Sequence, residues 1–200
     1  MRPLVLLAAL AITASCGSTA AAPTPIPTRL ATAAVIRTAA PTPPPVAGAC
    51  VVKVVTFAKA PSKATITLEK GGVITIALRP DKAPKTVTNF ANVALSGCYD
   101  GLTFHRVEPD FVIQGGDPAG NGTGGGTMPA EYNDLSFVKG AVGIARGQDK
   151  AINNDRQFYI CIGQCKFLDG QYTNFGLVTD GQSVADGVKV GDKIKTITVE

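Results

Sequence analysis

Residues 104 to 117 read Phe104-His105-Arg106-Val107-Glu108-Pro109-Asp110-Phe111-Val112-Ile113-Gln114-Gly115-Gly116-Asp117. The Glu-Pro-Asp interruption between two short runs rich in Val, Ile and Phe predicts a strand, a turn and a second strand. Arg106, Phe111 and Gln114 stand on that single unit, with no serine or cysteine nucleophile beside them. Such a set can hold and polarise a backbone amide, but it has no evident means of cutting one.

The residues on either side continue the pattern of short strands. Ala64 to Glu69 and Val73 to Leu78 alternate across Lys70-Gly71-Gly72, a hairpin signal. Ala83 to Leu95 recurs apolar at Val87, Phe90, Ala91 and Ala94, with Pro84 in the first turn and Gly97 beyond the end, which predicts a helix. Further strands are predicted at Thr103 to Val107, Phe111 to Gln114, Ala141 to Ile144, Phe158 to Ile162, Asn174 to Val178 and Lys193 to Val199, with a short helix at Gln182 to Asp186. Many short strands, Gly-rich turns and few helices indicate an antiparallel sandwich or barrel.

The first fifty residues differ in kind: they carry Arg2, Arg29 and Arg37 and no acid. Of the chain's net charge of +4, those three arginines leave +1 for everything after them. A nearly neutral domain without a basic stripe offers no footprint for nucleic acid. Arg2 followed by the apolar run Leu4 to Ala14 suits a secretory signal peptide over residues 1–15, being too short to span a bilayer. Ile-Thr-Ala-Ser-Cys resembles a bacterial lipobox, with Thr13 in place of the usual Leu, and makes Cys16 the expected lipidation site. Ordinary cleavage after Ala20 or Ala22, releasing a soluble secreted protein, is the alternative. Gly17 to Ala49 holds seven of the fourteen prolines among Thr and Ala. It has too little apolar surface to fold and is expected to be a tether. Residues 16–49 thus form anchor and tether, and residues 50–200 the folded domain.

Five cysteines suit an exported chain, since oxidising conditions allow disulfides. Setting Cys16 aside, Cys50, Cys98, Cys161 and Cys165 allow three pairings between which spacing does not choose. Cys161 lies within the apolar run Gln-Phe-Tyr-Ile-Cys-Ile and is expected to be a buried free thiol. A bridge between two of Cys50, Cys98 and Cys165, which fall near turns, is expected. Cys-x3-Cys with a single distant His lacks zinc spacing, so no metal is expected. Gly120 to Gly125 fits G-x-G-x-x-G formally, but Gly126-Thr127-Met128-Pro129 follows instead of a helix, so no phosphate site results and no cofactor is expected.

The stretch from Phe104 to Asp117 resembles the signature of the cyclophilins, the peptidyl-prolyl cis-trans isomerases. Two further segments resemble the family, Gly140 to Ile162 and Phe167 to Gly176, and the likeness spans about residues 62 to 200. It implies a closed eight-stranded antiparallel β-barrel capped by two α-helices. It makes Arg106, Phe111 and Gln114 the catalytic set. His105, Val112, Ala145, Arg146, Gln157, Tyr159, Phe167, Leu168 and Tyr172 become substrate-binding, His105 at the edge. The implied partners are proline-containing polypeptides met by a monomer, and the membrane through the lipid anchor.

The chemistry fits those residue types. Rotation about a peptide bond meets a barrier of about 18–20 kcal/mol, and X-Pro bonds take tens of seconds or longer to turn. Acceleration by roughly 10⁵ needs only about 7 kcal/mol of preferential transition-state binding and no covalent step. A pocket must grip the proline ring, and a donor must face the imide nitrogen, which regains lone-pair character when twisted. Arg106 is the expected donor, Phe111 the pocket wall and Gln114 the holder of both Arg106 and the substrate backbone.

Several positions depart from the family pattern. Arg146 replaces Asn, Tyr159 replaces Phe, Tyr172 replaces His, and the connection from Ala145 to Gln157 is about two residues longer. Phe167 replaces the Trp associated with tight cyclosporin binding, so weak cyclosporin affinity is expected. These departures leave a second reading open, a non-catalytic proline-binding or chaperone module of the cell envelope, and more remotely an adaptor using the barrel as scaffold.

Overall fold

A computed structural model describes residues 50–200; the expected signal peptide, Cys16 and the tether lie outside the described residues. Strand β1 (Lys63–Leu68) and β2 (Val73–Leu78) form the hairpin expected around Gly71 and Gly72, both at positive φ. Helix α1 (Pro84–Leu95) follows, then β3 (Phe104–Glu108), β4 (Val112–Gly115), β5 (Thr127–Pro129), β6 (Ala141–Ile144), β7 (Ile152–Asn154) and β8 (Phe158–Cys161). A single 3-10 turn at Lys166–Leu168 leads to β9 (Asn174–Asp180), helix α2 (Gln182–Asp186) and β10 (Ile194–Val199).

Eight strands make one antiparallel sheet in the order β10-β1-β2-β9-β6-β8-β4-β3. The expected closure of the barrel is corrected in degree: the sheet is curled, and its edge strands β3 and β10 share no ladder. The residues just ahead of each meet at the isolated bridge Thr103↔Lys193, beside backbone hydrogen bonds such as Phe104 N to Asp192 O at 2.8 Å. β5 and β7 pair apart from the sheet as a two-stranded ribbon that the sequence pattern did not predict.

Alternation decides what is buried. Ala64, Ile66 and Leu68 of β1 and Ile74, Ile76 and Leu78 of β2 point inward and are buried, which is the period-two rule for a sheet with one covered face. Phe90 of α1 lies in an aromatic cluster with Tyr99, Phe158 and Phe175, at ring separations of 5.3 to 5.5 Å. The helix has no side-chain cap of its own at Ala83. Glu131 serves instead, accepting from the backbone N–H of Lys85 and Thr86 at 3.0 and 2.7 Å, and its carboxylate suits the positive end of the helix.

The residues ahead of β1 lie along α1. Lys53 N donates to Ser96 Oγ at 2.8 Å, Val55 N donates to Asn92 Oδ1 at 2.9 Å, and Cys50 is disulfide-bonded to Cys98. Cys161 and Cys165 form a second bridge, which overturns the expected free thiol at Cys161. Cys161 is buried as its apolar run implied, but the chain turns after β8 and returns Cys165 to it, a proximity that local pattern does not encode.

Candidate active site

The hairpin of β3 and β4 sets Arg106 directly opposite Gln114. Its turn closes with Phe111 N donating to Glu108 O at 3.1 Å, and Asp110 sits at φ 57°, a conformation short polar side chains tolerate best after glycine. Because the turn is tight, Phe111 emerges beside Arg106, whose guanidinium carbon lies 5.8 Å from the ring centroid. Arg106 Nη1 donates to Gln114 Oε1 at 3.2 Å, and its Nε faces Glu108 Oε1 at 3.3 Å.

Gln114 is oriented from behind. Its Nε2 donates to Gln157 Oε1 at 2.9 Å, and Gln157 Nε2 donates to the carbonyls of Gly122 and Gly124 at 3.1 and 2.8 Å. Two fixed carbonyls take both protons of the buried Gln157 amide, so its oxygen must face Gln114, whose oxygen in turn must face Arg106. The carbonyls are fixed by Asp117, a buried carboxylate that accepts from Ala119 N at 2.9 Å, Asn121 N at 2.8 Å and Gly122 N. A side chain at Gly124 would run into Asp117, and one at Gly125 into Asn154. The glycines that mimic a dinucleotide motif are thus the backbone donors and acceptors of a loop that supports Arg106 through two glutamines.

The apolar half of the site comes from β4, β8 and the 3-10 turn. Arg106, Phe111, Val112, Gln114, Ala145, Arg146, Tyr159, Phe167, Leu168 and Tyr172 line one cavity of about 310 Å³. Val112 and Leu168 are buried, whereas Phe167 is 66% exposed with its ring 5.1 Å from that of Phe111. Tyr159 is stacked on Phe137 at 5.9 Å and meets Tyr172 edge-on at 6.0 Å. Its ring lies against Gly143, its cross-strand partner, where any side chain would collide with it. The Tyr159 hydroxyl is buried without a hydrogen-bond partner, and burial is the main cause that pushes its pKa up. The Cys161–Cys165 bridge packs under this wall with Val112, Tyr159 and Leu168.

Arg146 occupies the rim. Its guanidinium lies 4.3 Å from the Tyr172 centroid, Nε donates to Gln171 O at 3.1 Å and Nη1 to Gly147 O at 2.8 Å. The longer connection after Ala145 forms β7 and pairs with β5, beside a second recess lined by Gly126, Thr127, Gly147 to Asp149 and Ile152 to Asn154.

Ten of the twelve site residues named from the sequence within the described region therefore share one cavity wall, with Gln157 immediately behind it. His105 does not join them. Its half-buried ring lies toward the Gly-rich loop, where neither nitrogen has a partner. Its pKa is lowered, first by burial and further by Arg106, while Asp117 opposes the shift. Asp117 and Asn154, which holds the Gly124 carbonyl at 3.0 Å, were not singled out as site residues. The position of Asp117 at the end of the opening stretch was the available signal.

The comparisons agree with this geometry. Residues 63–199 match the family described as cyclophilin type peptidyl-prolyl cis-trans isomerase/CLD. Peptidyl-prolyl cis-trans isomerase B of Bacillus subtilis is 43% identical over 138 residues, covering 66% of this chain and 94% of that protein. A peptidyl-prolyl cis-trans isomerase of Synechococcus elongatus is 38% identical over 142 residues, covering 69% and 96%. Among solved structures, a Cryptosporidium parvum cyclophilin determined in the presence of the dipeptide Ala-Pro aligns with a TM-score of 0.63 at 27% identity, over 69% of this chain and 98% of that one. The chain belongs to the cyclophilin-type peptidyl-prolyl cis-trans isomerases, a family of enzymes.

Proposed function

We propose that this isomerase turns X-Pro bonds of exported proteins by non-covalent stabilisation of the twisted amide. The observation that carries the mechanism is the chain of hydrogen bonds from Gly122 and Gly124 through Gln157 and Gln114 to Arg106, ending beside an apolar recess. The proline ring enters the recess against Phe111, Val112 and Leu168. Arg106 donates to the imide nitrogen as its lone pair localises, and Gln114 restrains the substrate backbone. A preorganised donor in a partly dry site favours the transition state because it need not reorient as charge shifts. A protease-coupled assay on a cis-X-Pro peptide tests this: equal rates for wild type and Arg106→Ala would sink it. Binding of a proline peptide with no exchange enhancement by NMR would favour the non-catalytic proline-binding module instead.

We also propose export, lipidation at Cys16 and action as a monomer on the extracytoplasmic face of a membrane. The support is the Arg2 and Leu4 to Ala14 run ending at Cys16, followed by the Pro-rich tether of residues 17–49. An extended tether would let the domain search roughly 100 Å from its anchor. Mass spectrometry of the mature N-terminus should find a diacylated Cys16, and an unmodified terminus near Ala21 would refute anchoring. Cyclosporin is expected to bind weakly because Phe167 stands where the family has the Trp associated with tight binding, and a nanomolar constant would contradict this.

A further inference from the structure

Two arginines line the cavity, and they differ in their charge balance. Arg106 faces Glu108, which offsets part of its charge. Arg146 has no carboxylate partner among the described residues: its contacts are two carbonyl oxygens and the face of Tyr172. Those contacts also hold it still. Stacking on an aromatic ring and donation to two backbone carbonyls restrict the guanidinium to the rim, while at least one further N–H group is left free to donate outward. Lys150 lies on the same segment and donates to Gln171 Oε1 at 3.0 Å, so the chain brings two cations to Gln171. The nearest acid in sequence, Asp149, borders the second recess and accepts from Ala151 N at 2.8 Å.

A fixed, unpaired cation beside a groove attracts an anion on whatever enters the groove. We infer that Arg146 selects proline segments carrying an acidic residue next to, or one removed from, the proline. This inference rests on the isomerase reading and deepens it by naming a substrate class. The rim is solvent-accessible, so the preference is modest, about three- to five-fold, the range of a well-placed exposed ion pair.

The test is a set of proline tetrapeptides with Glu, Gln or Lys placed immediately before, immediately after, or one position away from the proline. The full exported chain is used, and kcat/KM is measured at low and high salt. Wild type should favour Glu over Lys about three- to five-fold in at least one register, with Gln between them. The preference should shrink at about 1 M salt, where screening acts over roughly 3 Å. Arg146→Asn should flatten it and Arg146→Glu should reverse it, with thermal melts confirming that both variants fold. A purely structural Arg146 would lower all peptides together and reverse nothing. Equal rates for Glu and Lys peptides in the wild type, or an unchanged ratio in Arg146→Glu, overturns the inference. Failure of every peptide to turn faster than the uncatalysed rate would sink the isomerase reading instead. The same peptides would then be compared by dissociation constant, where equal affinity for Glu and Lys also overturns charge selection.

Discussion

The floor of the site and its rim are built differently. Arg106, Phe111, Val112, Gln114 and Tyr159 stand on or beside β3, β4 and β8, where ladder register sets each position to within one residue. Arg146, Phe167, Leu168 and Tyr172 stand on connections, placed by side-chain contacts such as the Arg146–Tyr172 stack and not by a strand ladder. A register slip in the floor would turn every side chain to the other face, so the floor holds or fails as a unit. Rim residues can change one at a time. The reaction common to the family is therefore expected on the floor, and most of what distinguishes this chain, Tyr159 excepted, on the rim.

The largest effect expected from breaking the floor is that of Arg106→Ala. Loss of one preorganised donor should lower kcat/KM by about 10²-fold or more in a cis-X-Pro assay, with little change in melting temperature. Gln157→Leu probes the support of that donor. It removes the amide donor to the carbonyls of Gly122 and Gly124, the latter keeping Asn154 Nδ2 at 3.0 Å, and frees the Gln114 amide to rotate. A fall of about tenfold in kcat/KM is expected from this positioning residue, with partial recovery in Gln157→Asn if amide donation is what matters.

A bridge that does not line the cavity gives the contrasting case. The Cys50–Cys98 disulfide closes a separation of 48 residues and should stabilise the domain by about 2–4 kcal/mol, chiefly by restricting the unfolded chain. Denaturation of Cys50→Ser/Cys98→Ser should show that loss, while kcat/KM in native buffer stays near wild type. The Cys161–Cys165 bridge, at a separation of 4, constrains the unfolded chain less.

A smaller effect is expected at Tyr159. Replacing it with Phe removes a buried hydroxyl without a partner, so the domain should gain up to about 1 kcal/mol with activity retained. The least change is expected from pH. None of the lining residues is a histidine, cysteine or carboxylate, so kcat/KM should stay flat between about pH 6 and 8. Stability should not stay flat over a wider range. Burial lowers the pKa of His105, so the unfolded chain takes up its proton first. Stability is then full above about pH 6.5 and falls as the pH drops through the folded value, a loss that thermal melts of His105→Gln should lack.

Most of the floor was legible in the sequence because it is local. Phe104 to Asp117 carries both strands of one hairpin, so spacing alone brings Arg106 opposite Gln114. The ribbon of β5 and β7 was not legible: Thr127–Pro129 contains proline, two of the three residues of Ile152–Asn154 are asparagine, and neither run alternates. Their pairing spans a loop and rests on contacts such as Gly126 N to Asp155 Oδ1 at 2.6 Å. The pairing of Cys161 with Cys165 escaped for a similar reason, since an apolar run announces burial but not which thiol the next turn returns.

By itself the sequence determined the strand-rich class, the helix positions and the candidates Arg106, Phe111 and Gln114, which share one cavity wall. Each of these depends on periodicity or on residues within a few positions of one another. Only the tertiary structure decided that the segments leading into β3 and β10 meet at an isolated bridge, that His105 turns away from the cavity, and that a glycine loop templated by Asp117 orients Arg106 through two glutamines. Those outcomes depend on which distant backbone groups become neighbours when the sheet curls, and hydrogen-bond partners chosen across tens of residues leave no periodic trace along the chain.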